Sequence, residues 1–248
     1  MAEQDEHDVV DHDTARDTVM EAVRQLDGAS VRDALLESLV VHGVDETVAD
    51  VIMPVLRLVG DGWETGELGV LHEHFVSSSF RGVLGELRSP VHGEQARTVV
   101  LACPPRELHD LPLELFGAML HARRWRVVCL GANTPMTAIG EAVRFLKADA
   151  CVLAGVRRSA FESRMPSLTR LSARVPLFLA GEGAVALPAA PPGTHVLPRD
   201  LRLAADLVDA VARDRSVPLA SAAGAAGAGP TSATREDEVD VRSEHATG

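Results

Sequence analysis

This sequence predicts a four-helix bundle followed by a doubly wound α/β domain with a parallel five-stranded sheet (class α + α/β). Three observations carry that prediction. From Thr14 to about Pro90 the apolar residues recur at helical spacing throughout. From Arg97 the period changes to short apolar runs rich in β-branched residues, the pattern of buried strands. Those runs alternate with helical stretches five times, and right-handed crossovers then place helices on both faces of one parallel sheet. The implied division is a tail at 1–13, a bundle at 14–90, an α/β domain at 97–214 and a second tail at 215–248.

Residues 1–13, MAEQDEHDVVDHD, are acidic with little apolar character and read as a disordered tail, too short for a DNA-binding winged helix. Val19, Ala22, Val23 and Leu26 follow at i, i+3, i+4 and i+7, and Gly28 ends that first helix. Ser30 stands where an N-cap belongs, with Asp33 three residues on, a variant of the capping box. Leu35, Leu36, Leu39 and Val40 form the stripe of the second helix, closed by Gly43. Asp45 and Glu46 open a third helix through Val48, Val51, Ile52, Val55, Leu56 and Val59, and Pro54 should bend it. Gly62, Gly66 and Gly69 break the chain around Trp63, and a fourth helix covers about Val70 to Leu87. Short loops make the four a bundle. The polar stretch from Ser89 to Ala96 (SPVHGEQA) reads as a linker.

TVVLACP is the first buried strand, followed by a helix over about Asp110–Arg123. WRVVCLG, ACVLAGV and VPLFLAG are the next strands, with helices at Pro135–Lys147 and Ser159–Ala173 between them. A short strand at His195–Leu197 and a helix at Asp200–Asp214 complete the domain, and the Ala/Gly-rich, then acidic remainder reads as disordered.

Composition narrows the function. The net charge is −12, so direct nucleic-acid binding, which needs clustered Lys and Arg, is not expected. Aromatics are 3% and Tyr is absent, which argues against a surface built on stacked bases or sugars. No signal peptide and no apolar run approaching the ~20 residues of a membrane span is apparent, so a cytoplasmic protein is expected. Cys103, Cys129 and Cys151 lie in or at the end of strand-like runs and read as buried thiols in a reducing compartment.

Ligands of doubly wound folds bind outside the carboxyl ends of the strands. The loop after the first strand, CPPRELHDLP, puts Glu107 and His109 there. A carboxylate on one imidazole nitrogen leaves the other free for a metal and raises its basicity. Taken alone, His109 could equally be a solvated loop histidine. The loop has no GxGxxG and no P-loop, so dinucleotide and phosphate sites are not expected. The other notable stretch is Trp63, followed ten residues later by Glu73 and His74. Neighbours on a helix point about 100° apart, so Glu73 and His74 do not hold one metal together, and HEH with His72 lacks the i, i+4 spacing of helical zinc sites.

E-L-H-D-L-P resembles the D/E-x-H-x-x-G motif of cobalamin-binding domains, and RRWRVVCLGANTP resembles their second strand. That resemblance implies a flavodoxin-like (Rossmann-like) sheet, with His109 as lower axial cobalt ligand and small residues, Ala154-Gly155 and Ala180 to Gly183 with Gly181 among them, beside the nucleotide tail. The chain departs from the pattern at Pro112, where the family has Gly, and at Ala154-Gly155, where some members have a Ser. The W-x9-E-H pattern of Trp63, Glu73 and His74 is similar to that of the light-sensing CarH/LitR-type regulators and photosynthesis anti-repressors, here without their MerR-type DNA-binding domain. The resemblance implies adenosylcobalamin under Trp63, with Glu73 and His74 near the upper corrin face. It also implies His74 as an upper cobalt ligand once light has released the adenosyl group. The expected protein is a non-enzymatic light sensor acting on transcription through a protein partner such as a transcription factor, and homo-oligomers are compatible with it. The competing expectations are a corrinoid carrier of methyl transfer, which would share the bundle, sheet and His109, and a fold that no longer binds cobalamin.

Overall fold

The computed structural model describes residues 11–87 and 96–216. The tail expected at 215–248 lies outside the described residues except for 215–216, and so does the linker except for Ala96. Of the tail expected at 1–13, residues 1–10 lie outside, whereas His12 and Asp13 are already helical.

Helix α1 (His12–Arg24) is capped by Asp11, whose side chain accepts from the N–H of Thr14. α2 (Gly28–His42) corrects the expected boundary between these helices. Asp27, not Ser30, is its N-cap, accepting from the N–H groups of Ala29 and Ser30 at 3.1 Å. Gly28 is therefore the first residue of the second helix and not the end of the first. A carboxylate satisfies two of the orphan donors of the first turn at once.

α3 (Val44–Glu46), a π-helical stretch (Thr47–Ile52) and α4 (Met53–Thr65) follow without interruption. Pro54 is accommodated through the π-helical stretch: the N–H of Met53 reaches back five residues to the carbonyl of Val48. The longer register meets the missing Pro donor just where the α ladder would lose a bond. α4 carries Trp63 within the helix, three residues before the left-handed Gly66, so the expected glycine break lies after Trp63 and not around it. Gly62 has another duty. A Cβ there would stand 2.9 Å from Leu68 Cδ1, and the N–H of Leu68 donates to the Gly62 carbonyl at 2.9 Å. α5 (Val70–Leu87) closes the helical region.

β1 (Thr98–Ala102), β2 (Arg126–Cys129), β3 (Ala150–Ala154), β4 (Leu177–Ala180) and β5 (Thr194–Val196) form one parallel sheet in the order β2-β1-β3-β4-β5. This is the doubly wound order whose switch point lies between β1 and β3. Successive residues of the buried strands face opposite layers. Val99, Leu101, Val152 and Phe178 pack with α6 (Leu111–Ala122), α11 (Leu201–Ser216) and the helical region. Val100, Cys151, Leu153, Leu177 and Leu179 pack with α7 (Met136–Leu146), α8 (Ser159–Glu162) and α9 (Met165–Ser172). The single helix expected over 159–173 is thus two, and a short α10 (Glu182–Val185) follows β4.

The helical region and the sheet share one apolar core that runs from Val19, Leu35 and Phe80 to Leu115, Met119 and Val208. Ion pairs cross the same boundary: Arg81 to Asp110 (2.6 Å) and Glu114 (3.2 Å), Arg123 to Asp45 (2.6 Å), and Arg202 to Asp50 (2.7 Å). These pairs are partly exposed, so they set orientation more than they add stability. Trp125 is buried; its indole N–H donates to Asp209 at 2.6 Å, and the Arg97 guanidinium lies 4.5 Å over its ring. Cys103 and Cys151 are buried, which pushes both thiols up to about 12.

Candidate functional site

At the carboxyl end of β1 the chain turns through Pro104, Pro105 and Arg106 (φ +70°) before Glu107. The turn buries Glu107 and leaves the His109 side chain 62% exposed. Glu107 Oε1 takes the imidazole Nδ1 of His109 at 2.7 Å and its backbone N–H at 3.1 Å. Oε2 accepts from the N–H of Val156 at 2.8 Å. Burial works to raise the Glu107 pKa, yet the hydrogen bonds from His109 and Val156 outweigh it and hold the carboxyl below its ordinary 4.5. Ionised Glu107 can only accept, so Nδ1 carries the proton and Nε2 presents its lone pair. Nε2 has no partner among the described residues. The arrangement is a carboxylate-oriented imidazole with a free nitrogen at the surface, a single donor for one position on a metal and not a complete ligand set among the described residues.

Neighbouring loops brace this turn. The N–H of Arg106 donates to Asn133 Oδ1 (2.8 Å), and the N–H of Asn133 returns to the Glu107 carbonyl (2.8 Å). Asp110 accepts from the N–H of Ala132 and holds Arg81 of α5. Pro112 falls in the first turn of α6, where its missing N–H costs nothing.

Beside His109 opens an apolar cleft of about 370 Å³. Its floor is Ala154, Gly155 and Val156 at the end of β3 and beyond, and Ala180 and Gly181 at the end of β4 and beyond. Pro112, Leu113, Phe116 and Ala204 line it too, as do Met53 and Arg57 of the helical region. Glu182 and Arg199 stand at the rim, paired at 2.7 Å through two bonds. The two glycine loops need their glycines to meet each other. A Cβ on Gly181 would stand 2.6 Å from the Gly155 carbonyl oxygen, and one on Gly183 2.4 Å from that of Arg157. The result is a floor of small residues and Val156 in an apolar cleft that His109 also lines.

The structure therefore brings Glu107, His109, Ala154, Gly155 and Gly181 together, with Gly183 buried beneath. Trp63, Glu73 and His74 do not line this cleft. Trp63 is 53% exposed at the end of α4, and Glu73 and His74 are exposed in the first turn of α5, near exposed Val70 and Leu71. His72 Nδ1 accepts from the N–H of Gly69 (3.2 Å) and so serves the start of α5. Sequence reasoning missed Val156, Asn133, Met53 and Arg57. Val156 acts through its backbone, which no residue type announces. Asn133 carries a signal in its positive φ (+51°), a conformation Asn tolerates.

Residues 15–88 match the family model of the B12 binding domain. The HTH-type transcriptional repressor CarH of Myxococcus xanthus is 34% identical over 166 residues, 66% of this chain and 55% of that protein. The HTH-type transcriptional repressor CarA of the same organism is 30% identical over 173 residues, 68% of this chain and 58% of that protein. The chain thus spans little more than half the length of these curated relatives. The monomethylamine corrinoid protein of Methanosarcina barkeri shares the fold at TM-score 0.62 and 14% identity, over 81% of this chain and 100% of that one. At that identity the likeness is one of fold alone. Residues 15–88 thus resemble a B12 binding domain, and about two thirds of the chain resembles CarH and CarA.

Proposed function

We propose that this chain binds adenosylcobalamin, with His109 as the lower cobalt ligand, and serves as a light-responsive regulator acting on transcription through a protein partner. The observation that carries the proposal is the Glu107–His109 pair, with Nε2 free, at the mouth of an apolar cleft. The bound cofactor would supply a cobalt–carbon bond that light can break. Glu107 fixes the imidazole tautomer and ring orientation. Ala154, Gly155 and Gly181 keep the floor low for the nucleotide tail, and Gly183 lets the two floor loops close on each other. Trp63, with Val70 and Leu71, offers an exposed apolar surface to cover the other side. Glu73 and His74 stand exposed beside it, with His74 a second nitrogen donor for cobalt. The net charge of −12 disfavours a phosphate backbone as the direct target, which favours a protein partner.

The test is reconstitution with adenosylcobalamin in the dark, with visible spectra before and after green light. We expect a bound corrinoid, a spectral change on illumination, and loss of the base-off, His-on signature in His109→Ala. Absence of any bound corrinoid would overturn the proposal. A bound adenosyl form whose spectrum ignores light would point instead to a corrinoid carrier. An unchanged spectrum in His109→Ala would remove that residue as the ligand.

A further inference from the structure

A second concave surface lies on the sheet face away from the helical region, between α7 and α9. It encloses about 270 Å³. Two matched stripes line it, each spaced i, i+3, i+4, i+7: Thr137, Gly140, Glu141 and Arg144 along α7, and Ser167, Arg170, Leu171 and Arg174 along α9 and just beyond it. Helical spacing puts each set on one face. A Cβ on Gly140 would meet nothing within 4 Å, so the groove is open at its middle.

The charge of this groove runs against that of the chain, which has 36 acidic and 24 basic residues. Arg144 and Arg174 have no carboxylate partner among the described residues, and Arg170 donates only to the Ser167 hydroxyl, at 2.9 Å. Glu141 is the one carboxylate lining the groove, and it has no ion pair among the described residues. One turn past Glu141, at i+4, Phe145 stands 86% exposed. Arginines without a carboxylate partner among the described residues, beside an exposed aromatic residue, make a surface that gains both ion pairs and apolar burial on binding.

We propose that this groove docks an acidic peptide segment of a protein partner, with Phe145 as the apolar anchor. It extends the partner-dependent reading above by naming the surface and the chemistry of the partner. Screening decides between a peptide and a nucleic acid. At physiological salt a short segment feels the local field within about 8 Å, whereas a duplex also meets the acidic excess of the rest of the chain.

The experiment uses the full chain, with and without adenosylcobalamin, and a fluorescein-labelled peptide of Asp and Glu flanking one Leu. Its counterpart carries Asn and Gln in place of the acids. Fluorescence anisotropy should show the acidic peptide binding at least about 10-fold more tightly than the neutral one, less so as salt rises. R144E/R174E and the milder R144A/R174A should each weaken it about 10-fold or more at unchanged far-UV circular dichroism, and F145A should weaken it too. Arg126→Glu, on edge strand β2, should leave it unchanged. Equal binding of both peptides, or indifference to both double variants, would overturn the proposal, as would tighter binding of a DNA duplex at this groove. Corrinoid binding recorded on the same samples separates failure of the groove from failure of the cofactor reading.

Discussion

Glu107 is a buried carboxylate with three hydrogen bonds, two of them from His109. Replacing it by Gln keeps the shape but removes the charge that makes Nδ1 the donor. The amide can present its N–H₂ to the ring, which allows the other tautomer and leaves Nε2 protonated and unable to ligate. Glu107→Gln should therefore weaken cobalamin binding about 10–100-fold, as loss of a metal ligand's carboxylate partner does elsewhere. Titration followed by the visible spectrum reads this directly, and an unchanged affinity would mean that Glu107 only holds the loop. The Glu-x-His pair was legible in the sequence because its two side chains sit two residues apart in one loop. Its third partner was not, since Val156 arrives from the β3 loop and contributes a backbone N–H. For the same reason the missing Ser after β3 leaves no gap in the bonding of Glu107: a main-chain donor satisfies Oε2.

Among the elements, the strands were the most legible, because a strand buried on both faces must be a continuous apolar run bounded by turn residues. Helix ends were less so. Asp27 and Ser30 are both good capping types, and only the fold decides which one takes the non-helical position. The short α10 had no signal at all, since four residues give no period. Its Gly183 is nonetheless constrained: a methyl group there meets the Arg157 carbonyl oxygen at 2.4 Å and that of Gly155 at 2.8 Å, both backbone atoms. Gly183→Ala must push the β3 and β4 loops apart, and overpacking of this kind costs about 1–3 kcal/mol. Gly60, in the exposed middle of α4, meets nothing within 4 Å. Gly60→Ala should stabilise by about 0.5–1 kcal/mol through helix propensity alone. Urea unfolding of the two variants should thus move in opposite directions. Equal shifts would show that the loop contact yields freely.

At the scale of the molecule, the change from helical to strand–helix periodicity near residue 90 marks two regions that share one apolar core among the described residues. The apolar core passes from α2 and α5 through α6 to the sheet, and three arginine clusters bridge the same boundary. Periodicity reports what each segment is, not which faces are left over to pack on one another, so a shared core could not be seen in it. The consequence is cooperative unfolding. Leu35 is fully buried in α2, and Leu35→Ala should cost about 2–5 kcal/mol. Trp125 is buried far from it in sequence, just before β2, against α11. In a Trp63→Phe background Trp125 is the sole tryptophan and reports the α/β region, while far-UV circular dichroism reports mainly the helices. With a shared core, Leu35→Ala shifts both urea curves to lower midpoints together, and the two stay coincident. With independent folding, the Trp125 midpoint stays where it was while the helical signal falls early, and the curves separate. Only the first outcome lets a ligand held at His109, in a cleft lined both by Met53 and Arg57 of the helical region and by residues of the β3 and β4 loops, bias the whole molecule at once.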